Sequence, residues 1–286
     1  MSAIFGPAGN SDSFKVMGYK SNTDAPEYVS KMELDLYEYQ CGRGVRVSEE
    51  NAKVYRENAK KFRIKTSLHA PYFISLSSIE EEKRLKSVDY ILQSAKAAKM
   101  LGADRIVVHS GSCSKISREE ALEKAKDTLK IARNELVENG LENIHICPET
   151  MGKINQLGTL EEVLQLCLVD ESFIPCIDFG HLNCRTFGNM NCYEDYENAL
   201  NLIENMLGYD RLKNFHSHFS KIEWTKKGGE KKHLTFADQI YGPNFEPLGE
   251  LIAKRNLSPY IICESAGTQA EDAVFMKKTY NSFKTM

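Results

Sequence analysis

Residues 214–236, NFHSHFSKIEWTKKGGEKKHLTF, carry His216, His218 and His233, three of the seven histidines in the chain. Grouped imidazoles suggest a metal, because neutral imidazole and carboxylate are the usual ligands of Zn²⁺ and similar divalent ions. His216 and His218 stand two apart in an apolar run, so on a strand they face the same side, and either or both can reach a common pocket. Other apolar runs end the same way. His69, His109 and His181 lie toward the ends of KTSLHAP (65–71), RIVVHSG (105–111) and IPCIDFGH (174–181). Carboxylates join them: Glu149 ends NIHICPE (143–149), Asp178 stands before His181 across the Gly180 turn, and Glu264 falls in YIICES (260–265). Any one of these histidines alone reads as a hydrogen-bonded core or rim residue. The set reads as a metal site, because carboxylates at the ends of buried strands are costly unless paired or metal-bound. His145 is the exception: it is mid-strand, in phase with Cys147 and Glu149, and reads as a packed barrel residue.

The elements that must position these groups follow a rhythm. With IFGPA (4–8), LDLYEYQC (34–41) and NFHSHFS (214–220), the apolar runs number eight, and long amphipathic stretches separate them. Residues 80–102 have apolar positions at helical spacing and a natural stop at Gly102. Residues 117–140 open on Ser117 with Glu120 three later, the capping-box pattern, and stop at Gly140. Strands alternating with helices predict an α/β fold, a single (β/α)8 TIM barrel over residues 1–286 with the metal site at its C-terminal mouth. A doubly wound open sheet is the competitor. It would spread the polar strand ends along an edge, whereas a barrel gathers them at one mouth.

The totals narrow the class. The 286 residues, 42% of them hydrophobic, suffice for one large domain. A net charge of −3 gives no bulk positive field for nucleic acid or anionic membrane, so any DNA contact must be local. No secretory pattern and no stretch near the roughly 18 apolar residues of a membrane span is present, which predicts a soluble, cytoplasmic protein. The eight cysteines form no C-x-x-C pair, and Cys147, Cys176 and Cys263 read as buried thiols. A monomer is expected.

SLHAPYFISLSS, VVHSGS, CPET, CIDFGH and ICES, in this order and spacing, resemble the endonuclease IV family. The resemblance runs from about His69 to Glu264. It implies a (β/α)8-barrel hydrolase of DNA base-excision repair that cuts DNA at abasic sites with three clustered metals, usually zinc. It also implies site roles. His69, His109 and Glu149 would hold the first metal. Glu149 would bridge to a second, also held by Asp178, His218 and Glu264, and a hydroxide between the two would attack the phosphodiester. Glu149 and Glu264 would be the catalytic carboxylates, and His181 and His233 ligands of the third metal. Two or three zinc ions per chain are expected, with Mn²⁺ or Fe²⁺ as alternatives.

The family completes its third site with an Asp-x-His pair, where this chain has Lys231-x-His233. Glu230 could supply the carboxylate by a one-residue shift, the third metal could be weak or absent, or Lys231 could itself hold a phosphate. A weakened third site is the expectation. Ser110 also replaces the family's proline in VVHPGS. For DNA, the resemblance implies an arginine-bearing loop at CGRGVRVS, with Arg43 and Arg46, and a role for Tyr72 in holding the flipped-out site. Arg185 and Lys231, with Lys226, Lys227 and Lys232, are further phosphate candidates. The alternative reading is a sugar isomerase or epimerase with one divalent metal on Glu149, Asp178, His218 and Glu264. In such an enzyme two carboxylates flanking a sugar shuttle a proton.

Overall fold

The computed structural model describes residues 2–284. Among the described residues ten strands run in chain order: β1 (Ile4–Pro7), β2 (Leu36–Gln40), β3 (Lys65–His69), β4 (Arg105–His109), β5 (His145–Glu149), β6 (Cys176–Asp178), β7 (His216–Phe219), β8 (Ile222–Thr225), β9 (Gly229–His233) and β10 (Tyr260–Cys263). All but β8 and β9 join one parallel sheet in the order β1-β10-β7-β6-β5-β4-β3-β2. The sheet closes where β1 meets β2, through Asp35 N–H to Phe5 O (3.0 Å) and Gly9 N–H to Glu38 O (3.0 Å). A Cβ on Gly6 would lie 1.7 Å from Leu36 O, so only glycine lets the strands meet there. The result is the expected (β/α)8 barrel.

Helices cover the outside. Ser117 caps Arg118–Glu138 by accepting from Glu120 N–H (3.1 Å), while the Glu120 side chain pairs with Lys124 (3.6 Å) rather than completing the box. Glu81–Leu101 ends at Gly102 in the left-handed region (φ 80°). Alternation along each strand sends one set of side chains outward under these helices. On β2, Tyr37 and Tyr39 pack on Tyr55 of helix Glu49–Phe62. Each fully buried ring of this kind contributes roughly 1.5–3 kcal/mol relative to exposure.

The inward set forms tiers. At the N-terminal end, the Arg105 guanidinium stacks 3.6 Å from the Tyr260 ring centre and pairs with Asp104 (3.0 Å). His145 there bonds Ser172 O through Nδ1 (2.7 Å), as a packed residue away from the mouth. Above it lies a small apolar layer of Val107, Cys147, Ile174 and Cys176. One register further along β4, β5 and β6 come His109, Glu149 and Asp178. The eight cysteines are all unpaired thiols.

The strands β8 and β9 form an antiparallel hairpin beyond the mouth, outside the eight apolar runs read from the sequence. It is pinned to the loop after β5 by Glu230 N–H to Gly152 O (3.2 Å) and Ile154 N–H to Gly228 O (3.3 Å). Among the described residues no helix is long and apolar enough to cross a membrane.

Candidate metal centre

The barrel's C-terminal mouth opens into a cavity of about 290 Å³ lined by His69, Tyr72, His109, Glu149, Met151, Lys153, Gln156, His181, Glu230, His233 and Glu264. Glu149 ends β5 at its centre. Its Oε2 lies 3.4 Å from Nε2 of both His69 and His109, and its Oε1 lies 2.9 Å from His218 Nδ1. His218 Nδ1 is also 3.4 Å from Glu264 Oε1. Asp178 ends β6 and caps the following short helix, with Oδ1 accepting from His181 N–H (2.7 Å). That leaves Oδ2 for the cluster. Ligand atoms of Glu149, Asp178, His218 and Glu264 lie within 4.8 Å of one another, as do those of His69, Glu149 and His218, and those of His181, Glu230 and His233.

The third cluster contains the carboxylate that the sequence lacked at 231. In the hairpin Glu223 faces Lys232 but Trp224 faces Glu230, so Lys231 is the extra residue of a β-bulge. The bulge puts Glu230 and His233, three apart, on one side of β9. Glu230 Oε2 is 3.5 Å from His181 Nε2, and Oε1 is 4.0 Å from His233 Nε2. A weakened third site was the expectation, and of the readings offered for it the structure brings Glu230 beside His181 and His233. Lys231 is exposed and pairs with Glu223 (2.6 Å). Gly229, at φ 76°, allows the close approach, since a Cβ there would lie 2.3 Å from Gly152 O.

Outer contacts fix the imidazoles. Nδ1 of His69 bonds Ala70 O (2.8 Å), Nδ1 of His181 bonds Thr150 O (2.8 Å), and Nδ1 of His233 bonds Ser220 Oγ (2.8 Å). Each therefore turns Nε2 toward the clusters, the arrangement that sets ligand tautomer in metal sites. Ser110, at the family's proline position, donates to Glu149 O (2.9 Å) and so holds the central carboxylate's backbone.

The electrostatics favour a cation. Buried Glu149 Oε2 and Asp178 Oδ2 have no hydrogen-bond partner among the described residues. Burial pushes the Glu149 carboxyl up, but His218, His69 and His109 more than offset it and hold it well below the usual range. Burial pulls His69 and His181 down, yet facing carboxylates win and lift both to about 9. His109 follows burial to about 4. A pocket that draws protons onto its imidazoles is one whose charge a divalent ion would balance. The donor set, imidazole nitrogen and carboxylate oxygen, suits zinc, manganese or iron.

Other predicted residues separate. Tyr72 is 62% exposed at the rim, with N–H donating to Gly42 O (3.2 Å), so it adjoins the turn bearing Arg43; Arg43 and Arg46 are exposed. Arg185 is not a free phosphate binder. Its guanidinium donates to the carbonyls of Met151 (2.8 Å), Lys153 (2.7 Å) and Gln156 (3.3 Å), fastening the loop that carries the hairpin. Lys226, Lys227 and Lys232 are exposed on the hairpin. His216 lies one step below His218 on β7, fully buried, with Nε2 3.0 Å from Glu38 Oε2. Glu38 lies mid-strand on β2 and so lacks the strand-end signature of the other candidates. Its signal was a lone carboxylate between two tyrosines in a strand-like run.

Residues 26–279 match the model of the xylose isomerase-like TIM barrel family. The chain belongs to that family. An uncharacterized protein of Methanocaldococcus jannaschii is 33% identical over 282 residues, 97% of each chain. The probable endonuclease 4 of Aquifex aeolicus is 28% identical over 192 residues, 66% of this chain and 67% of that one. That of Mycoplasma pneumoniae is 29% identical over 195 residues, 65% and 63% respectively. Against such endonuclease 4 relatives the match spans about half to two thirds of their length. Among solved structures of this barrel, a D-tagatose 3-epimerase-like protein superposes with a TM-score of 0.69 at 20% identity, covering 93% of this chain and 95% of that one. Endonuclease IV from Thermus thermophilus gives 0.66 at 18%, covering 91% and 93%. Both share the fold.

Proposed function

We propose that this protein is a zinc-dependent phosphodiesterase, a single barrel domain acting as a monomer, that cuts DNA on the 5′ side of abasic sites in cytoplasmic base-excision repair. The observation that carries the reading is the third carboxylate–imidazole cluster, His181, Glu230 and His233, beside the two that share Glu149. A sugar enzyme with one divalent metal needs no such set. Metal ions at these clusters would supply Lewis acidity and lower the pKa of water toward neutrality. The chain's own part is positional. Glu149 ties two clusters together through its two oxygens. Glu264 stands between His218 and the hairpin, with Oε2 3.9 Å from His233 Nδ1. Exposed Tyr72, against the Arg43 turn, is suited to stacking on a nucleotide beside an extruded sugar. The relatives named endonuclease 4 support this reading.

A second reading keeps one observation of its own. Glu149, Asp178, His218 and Glu264 are close enough to hold a single metal by themselves, and the D-tagatose 3-epimerase-like structure shares the barrel. Incision of a duplex oligonucleotide with one synthetic abasic site, in Zn²⁺ or Mn²⁺, decides between them. Cutting immediately 5′ to the lesion, lost in Glu264→Gln and weakened by Arg43→Ala, is the expected result. No cutting with either metal would transfer the assignment to a sugar substrate.

A further inference from the structure

His218 is mounted the opposite way round from its neighbours. His69, His181 and His233 park Nδ1 on a neutral oxygen and offer Nε2, but His218 turns Nδ1 to Glu149 and Glu264. Its Nε2 therefore points down into the barrel, where Glu38 Oε1 is its charged neighbour at 3.0 Å, an ion-pair contact not aligned as a hydrogen bond. We infer that Glu38 is the positioning residue of the metal centre: it receives the Nε2 proton of His218, so that Nδ1 is the ligand atom, and His216 is its support rather than a ligand. The inference rests on the metal reading above.

The surroundings of Glu38 are built for this task. The carboxylate is fully buried at mid-strand on β2, across the barrel from β7. Oε2 accepts from Ser67 Oγ (2.9 Å) and pairs with His216 Nε2 (3.0 Å). Oε1 accepts from Gln40 Nε2 (3.2 Å) and faces His218. A buried carboxylate is tolerated only when its oxygens are satisfied, and here donors from β2, β3 and β7 converge on it. His216 keeps Nε2 on Glu38, and its Nδ1 is buried with no hydrogen-bond partner among the described residues. With Nε2 committed to Glu38 it belongs to the lower tier, where the sequence had left it as a metal candidate. A carboxylate behind a ligating imidazole fixes the ring and raises its basicity, and its loss typically weakens metal binding by about 10–100-fold.

The test uses the full chain and zinc chloride. In the zinc-loaded protein, long-range proton–nitrogen spectra of the histidines should place a proton on Nε2 of His218 and none on Nδ1. Chelator-competition titration should give Glu38→Gln a zinc affinity about 10–100-fold below wild type. Melting in EDTA reads any structural cost of the substitution separately. Should Glu38→Gln not fold, Ser67→Ala keeps the carboxylate, removes one of its anchors and should show a smaller loss, and the wild-type spectrum stands alone. A proton on His218 Nδ1 in the zinc form, or unchanged zinc affinity in a folded Glu38→Gln, overturns the inference and leaves the metal reading intact. A wild-type chain that takes up no zinc overturns both.

Discussion

The metal-ligand candidates come mainly from two kinds of scaffold, with His181 on the short helix Phe179–Arg185 after β6. His69, His109, Glu149, Asp178, His218 and Glu264 sit on or just beyond strands of the closed barrel, and the central ones are hidden, with Glu149 1% and Asp178 and His218 0% exposed. Glu230 and His233 ride on an added hairpin and are 15% and 26% exposed. The barrel group is held by the parallel ladder, whose register fixes each side chain. The hairpin group is held through the loop 151–156, itself fastened by Arg185 and by Arg118, which donates to Ile154 O (3.0 Å) and Gln156 O (3.0 Å). Precision is thus inherited from the sheet in one group and relayed through two arginines in the other. A strand end tolerates no re-spacing, whereas a hairpin accommodates an inserted residue as a bulge and still brings Glu230 and His233 to one side.

The largest effect should come from the barrel side. Glu149→Gln should remove metal from both clusters it joins and lower incision by more than about 100-fold, since even outer contacts reach that size. Metal content by plasma mass spectrometry and the abasic-site assay read it together, and wild-type metal content would sink the sharing role. His233→Ala should strip the hairpin cluster alone. The barrel-held metals should remain, and in wild type the hairpin metal should be the first to leave in a graded chelator series. Simultaneous release of all metals would erase the distinction between the groups. Arg185→Ala should cost about 1–3 kcal/mol through its lost carbonyl bonds and loosen the hairpin metal while sparing the others. Melting and metal titration check it, and equal weakening of all sites would count against the relay. The smallest effect should be that of Lys231→Asp. It restores the Asp-x-His letters of the endonuclease IV family that the chain resembles, yet position 231 faces outward beside Glu223, so metal affinity should not rise. A tighter third metal in that variant would mean the bulge is not held in solution.

How well the sequence could be read divides along the same line. The eight barrel strands and their polar ends were legible, because buried parallel strands leave continuous apolar runs and a charged or imidazole residue at the end of one stands out. The Ser117 cap and the Gly102 stop were local and legible too. The hairpin was not: IEWT and GEKKH are short, the second is lysine-rich, and both fall outside the eight apolar runs. The bulge at Lys231 depends on pairing with β8, which spacing along one strand does not reveal. Arg185 looked like a mouth-side phosphate contact because carbonyls leave no mark in a sequence, and three of them hold it. Glu38 was hidden by position, since its partners lie 29 and 178 residues away.

The joint between β1 and β2 gives Gly6 a reach far beyond its size. Eight staves make one hoop, and the hoop's girth sets how far apart His69, Glu149, His218 and Glu264 stand. A methyl at residue 6 would wedge the seam beside Leu36, two residues from Glu38, and the slack would be shared around the circumference. Gly6 is therefore the clasp that sizes the ring, so that the spacing of the candidate ligands around it is decided in part by a residue with no side chain at all.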